Sequence, residues 1–329
     1  MTPRQMAATV AGIERAGAYY LFTLTEPGLG ADFRPGQFAA VAVGGEQTSM
    51  LLRRCFSIHR ADGDVMQLVV AGHGKGTRWL VRQAVGAVLN VVTPLGRPFP
   101  LPTIDPALPA RAGPAAPTPT TGSAAGGSTA AAVGALTPAT GSTASRSAAA
   151  PDSGRSACVL VGGGYGSAPL FALSDRLQAR GHPVHFVLGA ATEDRLFGVH
   201  QAKALADSVT VTTDDGSAGR LGLVSDALPV LLADSAAETV YACGPMGMLH
   251  AVTEIATAAG VGAYCAVEES MACGIGVCMT CVLPVVWPDG RTRMTRSCTD
   301  GPVFDGSLVR WPDVGTVPAD CVGAMGLGA

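Results

Sequence analysis

The sequence predicts an α+β multidomain chain: an antiparallel β-barrel, then a doubly wound α/β domain, then a small cysteine-rich module. Three observations carry that expectation. Short alternating strands separated by turn residues fill the first hundred positions. Near residue 157 a buried apolar strand runs into a glycine-rich turn and a helix, the opening of a β-α-β unit. Four cysteines then gather in a short stretch, Cys273, Cys278, Cys281 and Cys298, the first three spaced C-x4-C-x2-C. The domains are expected at 1–100, 157–262 and 263–318, with a linker over 101–156.

Composition bounds the function. The chain has 329 residues, enough for two to three domains, and its 48% apolar content can fill sizeable cores. A net charge of −3 without any basic block offers no footprint for nucleic acid. Mean hydropathy is +0.32, yet no run of 18 apolar residues occurs, so no membrane span is expected. Glu14 and Arg15 interrupt the N-terminal stretch, which therefore does not read as a secretory leader. The expectation is a cytoplasmic protein whose cysteines stay reduced. Of the nine, Cys55, Cys158, Cys265 and Cys321 read as packing residues.

In the first domain, Ala7 to Ile13 and Tyr19 to Thr25 alternate as paired strands, and Gln37 to Val43 follows the Pro35-Gly36 turn. The segment Leu52-Arg53-Arg54-Cys55-Phe56-Ser57-Ile58 resembles the R-P-x-S flavin signature of the ferredoxin-reductase superfamily, with Cys55 where proline is usual. That resemblance implies Arg54 on a flavin pyrophosphate and the Ser57 hydroxyl at the isoalloxazine edge. The bland alternative is a strand carrying a solvated basic pair. Val69-Val70-Ala71, then Gly72 to Lys75, then Gly76-Thr77, make a strand, a glycine-rich turn and a helix start whose free amides could cradle a phosphate. It is not a Walker loop, which needs G-x4-G-K-[ST]. Val91 to Gly96 matches the strand and P-L-G turn that close the barrel in that superfamily. Together these segments point to FAD.

From Leu101 to Ser156 the chain is Ala, Pro, Thr, Ser and Gly with few large apolar side chains, a composition that cannot offset the entropy of ordering. It reads as a disordered spacer.

In the second domain, Ala157 to Val161 is a buried strand. Gly162-Gly163-Gly164-Tyr165-Gly166-Ser167-Ala168-Pro169 turns into a helix through Ala179, and Val184 to Leu188 is the next strand. The glycines let a dinucleotide pyrophosphate approach the helix, although Ser167 stands where a third fingerprint glycine belongs, and a tight structural turn would explain the same residues. Val209 to Thr213 ends in the polar loop Asp214 to Ser217. Thr239 to Cys243 leads into Gly244-Pro245-Met246 and a helix to Ala259. No arginine follows Leu188 in Gly189-Ala190-Ala191-Thr192, which favours NAD over NADP. The six histidines are scattered, so neither a histidine metal site nor a catalytic triad is expected.

The cysteine spacing fits a plant-type [2Fe–2S] loop whose fourth ligand arrives from further along. Gly274 and Gly276 allow the positive φ that turns amides toward a sulfur cluster. Val282 to Val286, the turn Pro288-Asp289-Gly290-Arg291, and Thr292 to Ser297 read as a hairpin returning Cys298 to the loop. Zinc and disulfides are the other readings of four cysteines. Zinc ribbons, however, carry two C-x2-C knuckles where only Cys278/Cys281 is one, and disulfides suit secreted chains.

Glu268 to Cys278, Thr280-Cys281-Val282 and Cys298 to Phe304 are similar to the cluster region of the electron-transfer subunits of NAD-dependent (type 1B) dihydroorotate dehydrogenases. The family's G-G-G-x-G-x-A-P turn fits Gly162 to Pro169, and the superfamily's C-G-P turn, matched here by Cys243-Gly244-Pro245, implies a place beside nicotinamide and flavin. The family joins its first two domains directly, so 101–156 reads as an insertion. The resemblance implies FAD, a [2Fe–2S] cluster on Cys273, Cys278, Cys281 and Cys298, and NAD. It also implies a partner catalytic subunit carrying FMN and the dihydroorotate site, in a heterotetramer of two of each. Electrons would pass from that FMN by way of the cluster and FAD to NAD+, in pyrimidine synthesis. Two alternatives are a flavoprotein subunit of an NAD(P)H–ferredoxin oxidoreductase, in which aspartate tends to replace the first cysteine, and a non-catalytic iron–sulfur redox sensor.

Overall fold

The computed structural model describes residues 2–45, 48–102 and 155–324. The expected linker, 101–156, falls almost entirely outside the described residues.

Six antiparallel strands close the first domain: β1 Arg4–Ala16, β2 Tyr19–Thr25, β3 Phe38–Val41, β4 Arg54–Asp62, β5 Val65–Ala71 and β6 Val88–Leu95. Their order around the barrel is β1-β2-β5-β4-β3-β6. Alternation drives closure: Phe22 and Leu24 on β2 and Leu68 and Val70 on β5 point inward, and closure leaves no strand edge open to water. A short helix α1, Lys75–Leu80, follows β5 and drops Leu80 into that core.

The second domain is a seven-stranded sheet. Strands β7 Ala157–Gly163, β8 Val184–Ala190, β9 Ser208–Thr213, β10 Arg220–Leu221, β11 Ala237–Cys243 and β12 Gly262–Ala266 run parallel, and β15 Val303–Asp305 adds an antiparallel edge. The order is β10-β9-β8-β7-β11-β12-β15. Helices α2 Ala168–Ala179 and α3 Val199–Leu205 cover one face, and α4 Val224–Ser235 and α5 Met246–Ala258 cover the other. Strand β7 is therefore buried on both sides: Cys158 and Leu160 pack toward Phe171, while Val159 and Val161 pack toward Leu228 and Leu249. From β7 the chain goes to β8 on one side and later returns to β11 on the other. The carboxyl ends of β7 and β11 thus flank the switch point where such sheets bind ligands.

The boundary expected between 262 and 263 falls inside β12, which is a full member of this sheet. The cysteine module is a loop, 267–281, and a hairpin of β13 Val282–Val286 and β14 Thr292–Arg296, inserted between β12 and β15. It could not be a separate globule, because its buried Leu283 and Val285 share a core with α4 and α5. The short Gly-Ala-Tyr-Cys-Ala run of β12 follows the Gly260 turn that ends α5, but it lacks the alternation that marks the barrel strands.

Barrel and sheet meet along β4 and α2. The His59 ring packs edge-on between Phe171 and Phe197, and its Nδ1–H donates to the Ala168 carbonyl at 2.8 Å. Arg60 pairs with Asp175 at 3.0 Å. Burial lowers His59 to about 4, so the ring is neutral and sits as an aromatic contact between the two domains.

Candidate functional site

Two cavities open at this junction. The first, about 330 Å³, is walled on the barrel side by Phe38, Arg54, Cys55, Phe56, Ser57 and Val69, and on the sheet side by Tyr165, Gly166, Ala168, the segment Val267 to Met271, and Pro302. The expected flavin residues on β4 therefore converge. Arg54 is held by the carbonyls of Leu52 and Arg53, at 2.7 and 3.2 Å, and lies flat on Gly76: a Cβ built there would stand 2.7 Å from the arginine Nε. Gly76 and Thr77 thus sit behind Arg54 rather than in the cavity wall, with the Gly74 amide donating to the Thr77 hydroxyl at 2.9 Å. Val70 points into the barrel core, and Ala71 packs toward the sheet domain. Arg53 turns the other way, to the side-chain oxygen and carbonyl of Asn90 at 2.6 and 3.0 Å.

The second cavity, about 450 Å³, lies over the switch point and is lined by Gly163, Gly164, Tyr165, Ala190, Ala191, Arg195, Asp214, Pro245, Met248 and Glu268, among others. Of the expected dinucleotide residues, Gly163, Gly164 and Pro245 reach it. Gly166 lies in the first cavity's wall, whereas Gly162, Cys243, Gly244 and Met246 support it from behind. Gly166 is where glycine is needed: a Cβ would meet the Cys243 carbonyl at 2.7 Å, so the two turns could not otherwise touch. Ser167, which breaks the fingerprint, knits the turn by donating to the Gly164 and Phe197 carbonyls at 2.9 and 3.2 Å. Burial drives the Cys243 thiol well above its ordinary range, with Glu268 adding to the rise. The sequence argument from a missing arginine was incomplete, because Arg195 enters this wall from the turn after β8; Asp214 shares the wall with it.

Tyr165 and Glu268 line both cavities, and the sequence reading gave neither a role of its own. The Tyr165 ring meets Tyr19 edge-on at 5.6 Å, and burial raises its hydroxyl to about 12. Burial likewise raises the Glu268 carboxyl. Their signal was present, a tyrosine inside a glycine turn and a carboxylate at a strand end, but only the topology brings the two together.

The four cysteines gather on the far side of Cys55. Ser297 N–H donates to the Cys281 carbonyl at 2.9 Å, so the hairpin does return Cys298 beside Cys281, and both are buried. Cys273 lies close enough to Cys278 to influence its ionisation, and Cys281 stands in the same relation to Cys298. Among the described residues no three His, Cys, Asp or Glu side chains surround one point as a ready mononuclear metal site. A two-iron cluster asks for something else, namely two thiol pairs with donors aimed at sulfur. That is the arrangement here: Ile275 N–H donates to Cys273 Sγ at 3.5 Å and the Thr280 hydroxyl to Cys278 Sγ at 3.1 Å. Gly274 and Gly276 have φ of +71° and +86°, as the loop geometry required. Arg296 holds the loop through the Gly276 carbonyl at 2.8 Å. Bonds from Thr280 lower Cys278 to about 6, whereas burial raises Cys298 to about 12. The donor set fits a [2Fe–2S] cluster.

Barrel, switch-point cavity and thiol loop together define an oxidoreductase of the flavin- and nicotinamide-dependent reductase class with an added iron–sulfur module. Comparisons with known proteins agree. Residues 268–310 match the iron–sulfur cluster binding domain of dihydroorotate dehydrogenase B, and residues 160–254 match the oxidoreductase NAD-binding domain. The electron transfer subunit of dihydroorotate dehydrogenase B (NAD(+)) from Geobacillus thermodenitrificans is 33% identical over 272 residues, 82% of this chain and 84% of that one. Its namesake from Bacillus caldolyticus is 32% identical over 273 residues, with the same coverage. The chain belongs to the family of dihydroorotate dehydrogenase B electron transfer subunits. Among solved structures, an NADH-dependent reduced ferredoxin–NADP oxidoreductase studied for flavin-based electron bifurcation superposes with a TM-score of 0.69 at 25% identity, covering 94% of this chain and 91% of that one. The FAD/NAD binding domain of a Vibrio cholerae nitric oxide dioxygenase shares the fold, with a TM-score of 0.54 at 18% identity over 78% of this chain and 93% of that one. With the family come the three groups expected from the sequence: FAD, a [2Fe–2S] cluster and NAD.

Proposed function

We propose that the first cavity holds the flavin of FAD, the second the nicotinamide of NAD, and Cys273, Cys278, Cys281 and Cys298 the cluster. One observation carries the reading. The first cavity touches both other sites, through Cys55 on the side of the thiol loop and through Tyr165 and Glu268 on the side of the second cavity. FAD supplies the exchange between two-electron hydride chemistry and single-electron chemistry, so it belongs at that centre. Arg54 would neutralise the pyrophosphate, and Ser57 would donate to the ring edge. Gly163 and Gly164 would let the dinucleotide backbone approach the helix that follows.

The partner is an FMN-containing catalytic subunit that oxidises dihydroorotate, in a heterotetramer of two of each, within cytoplasmic pyrimidine synthesis. Support for a docking face beside the cluster comes from Ile275, Val277 and Met279, which are 53%, 75% and 52% exposed around the exposed Cys278. The purified chain should oxidise NADH with an artificial one-electron acceptor, and should capture a yellow, FMN-bearing partner from its own cells. A chain with a full complement of flavin and iron that leaves NADH untouched would support the redox-sensor alternative instead.

A further inference from the structure

Cys55 occupies a position no other cysteine shares. Its side chain lines the first cavity, yet it also packs with Phe38, Ala40, Cys281 and Cys298 on the other side of the wall. Gly274 of the thiol loop rests directly on it, the Cβ position there standing 3.3 Å from Cys55 Sγ. Cys55 thus stands between the cavity and the Gly274 turn of the loop, whose earlier residues Val267 to Met271 line the same cavity. No disulfide engages it.

We propose that Cys55 is a positioning residue that ties the flavin site to the cluster site: its thiol seats the Gly274 turn and donates a hydrogen bond toward the sulfurs held by Cys273 and Cys281. A donor aimed at those sulfurs favours the more negative, reduced form of the cluster and so raises its potential. The thiol keeps its proton and its electrons throughout; it is neither oxidised nor reduced when one electron enters or leaves the neighbouring centre. This inference rests on the four-cysteine reading above and adds a fifth sulfur to it.

The test is an EPR-monitored redox titration of the full chain with dithionite, alongside iron analysis, for the parent, Cys55→Ser and Cys55→Val. Valine keeps the bulk but removes the donor. It should retain iron, change the line shape of the reduced signal, and move the midpoint to more negative potential. The expected shift is up to a tenfold change in the oxidised-to-reduced ratio, about 59 mV for a one-electron couple. Serine restores an O–H donor and should return most of the shift. If valine proves too bulky to retain iron, Cys55→Ala, which only removes atoms, is judged on the same criteria. A donor-free variant with full iron and parental potential and line shape overturns the proposal alone. A parent chain without iron or signal overturns the four-cysteine reading and this inference with it.

Discussion

Replacing Arg54 by alanine tests the flavin assignment most directly. The guanidinium is held in place by two backbone carbonyls and lies on Gly76, so it is positioned before any ligand arrives. A hydrogen bond to a charged group contributes roughly 1.5–3 kcal/mol, and a bidentate contact could reach twice that. Arg54 is only half-buried, so screening brings the expected loss back to roughly 1.5–3 kcal/mol in total. Each 1.4 kcal/mol or so is tenfold, so FAD affinity should fall by about one to two orders of magnitude. Titrating FAD into the flavin-free variant and following its fluorescence gives the number. Iron content should not change, because the hydrogen bonds of Arg54 go to Leu52 and Arg53 and not to the thiol loop, and NADH-dependent reduction should return with excess FAD. Arg53→Ala is the internal control: its guanidinium faces Asn90, away from the cavity, and its loss should leave affinity nearly as it was. Gly76→Ala adds a methyl 2.7 Å from the Arg54 Nε and should weaken FAD in the same direction without removing any charge. If Arg53→Ala releases the flavin and Arg54→Ala retains it, the assignment of faces is wrong; if neither matters, the cavity is not the flavin site.

Each of Cys273→Ser, Cys278→Ser, Cys281→Ser and Cys298→Ser should abolish or reshape the EPR signal of the reduced chain. An unaltered signal in Cys298→Ser would break the argument from the hairpin. Asp214→Arg removes a carboxylate from the second cavity and places a cation beside Arg195, which should move the ratio of kcat/KM for NADH over NADPH at least tenfold toward NADPH. An unmoved ratio would put the ribose elsewhere. Burial holds His59 at about 4 in the fold against an ordinary 6.5, so between those values the unfolded chain binds the extra proton and stability falls as pH drops, by roughly 3 kcal/mol in all. His59→Phe should flatten that acid limb in urea denaturation, and an acid limb as steep as the parent's would refute the assignment.

Most elements were legible because their signals are local. Alternation marked β1 and β2, the glycine turn marked β7 and α2, and the hairpin signal marked β13 and β14 nearly to the residue. The gathering of the four cysteines was legible for the same reason, since three lie on one loop and the fourth follows one hairpin. What escaped was anything assembled by distance. Tyr165 and Glu268 are separated by a hundred positions and meet only because β7 and β12 flank β11. Arg195 is hidden from a reading that looks only at the residues directly after β8. Cys55 looked like a packing residue, because nothing near it in sequence says that Gly274 will rest on it.

The placement proposed for the flavin rests on how the two domains are joined. Neither the barrel nor the sheet encloses the first cavity alone: β4 supplies one wall, and the α2 start, the β12 end and Pro302 supply the other. Ala168 belongs to both arrangements, since its carbonyl accepts from His59 while the residue itself lines the cavity. Seating α2 on β4 and shaping the cavity are therefore one event. A ligand that binds only the seated form stabilises the domain pairing by mass action, in proportion to the logarithm of its concentration over its Kd. The thiol loop hangs between β12 and β15 and rests on Cys55, so the same seating sets the loop against the cavity. Flavin binding and registration of the thiol loop should then rise and fall together, which is what an electron relay requires, because its sites work only at fixed separation.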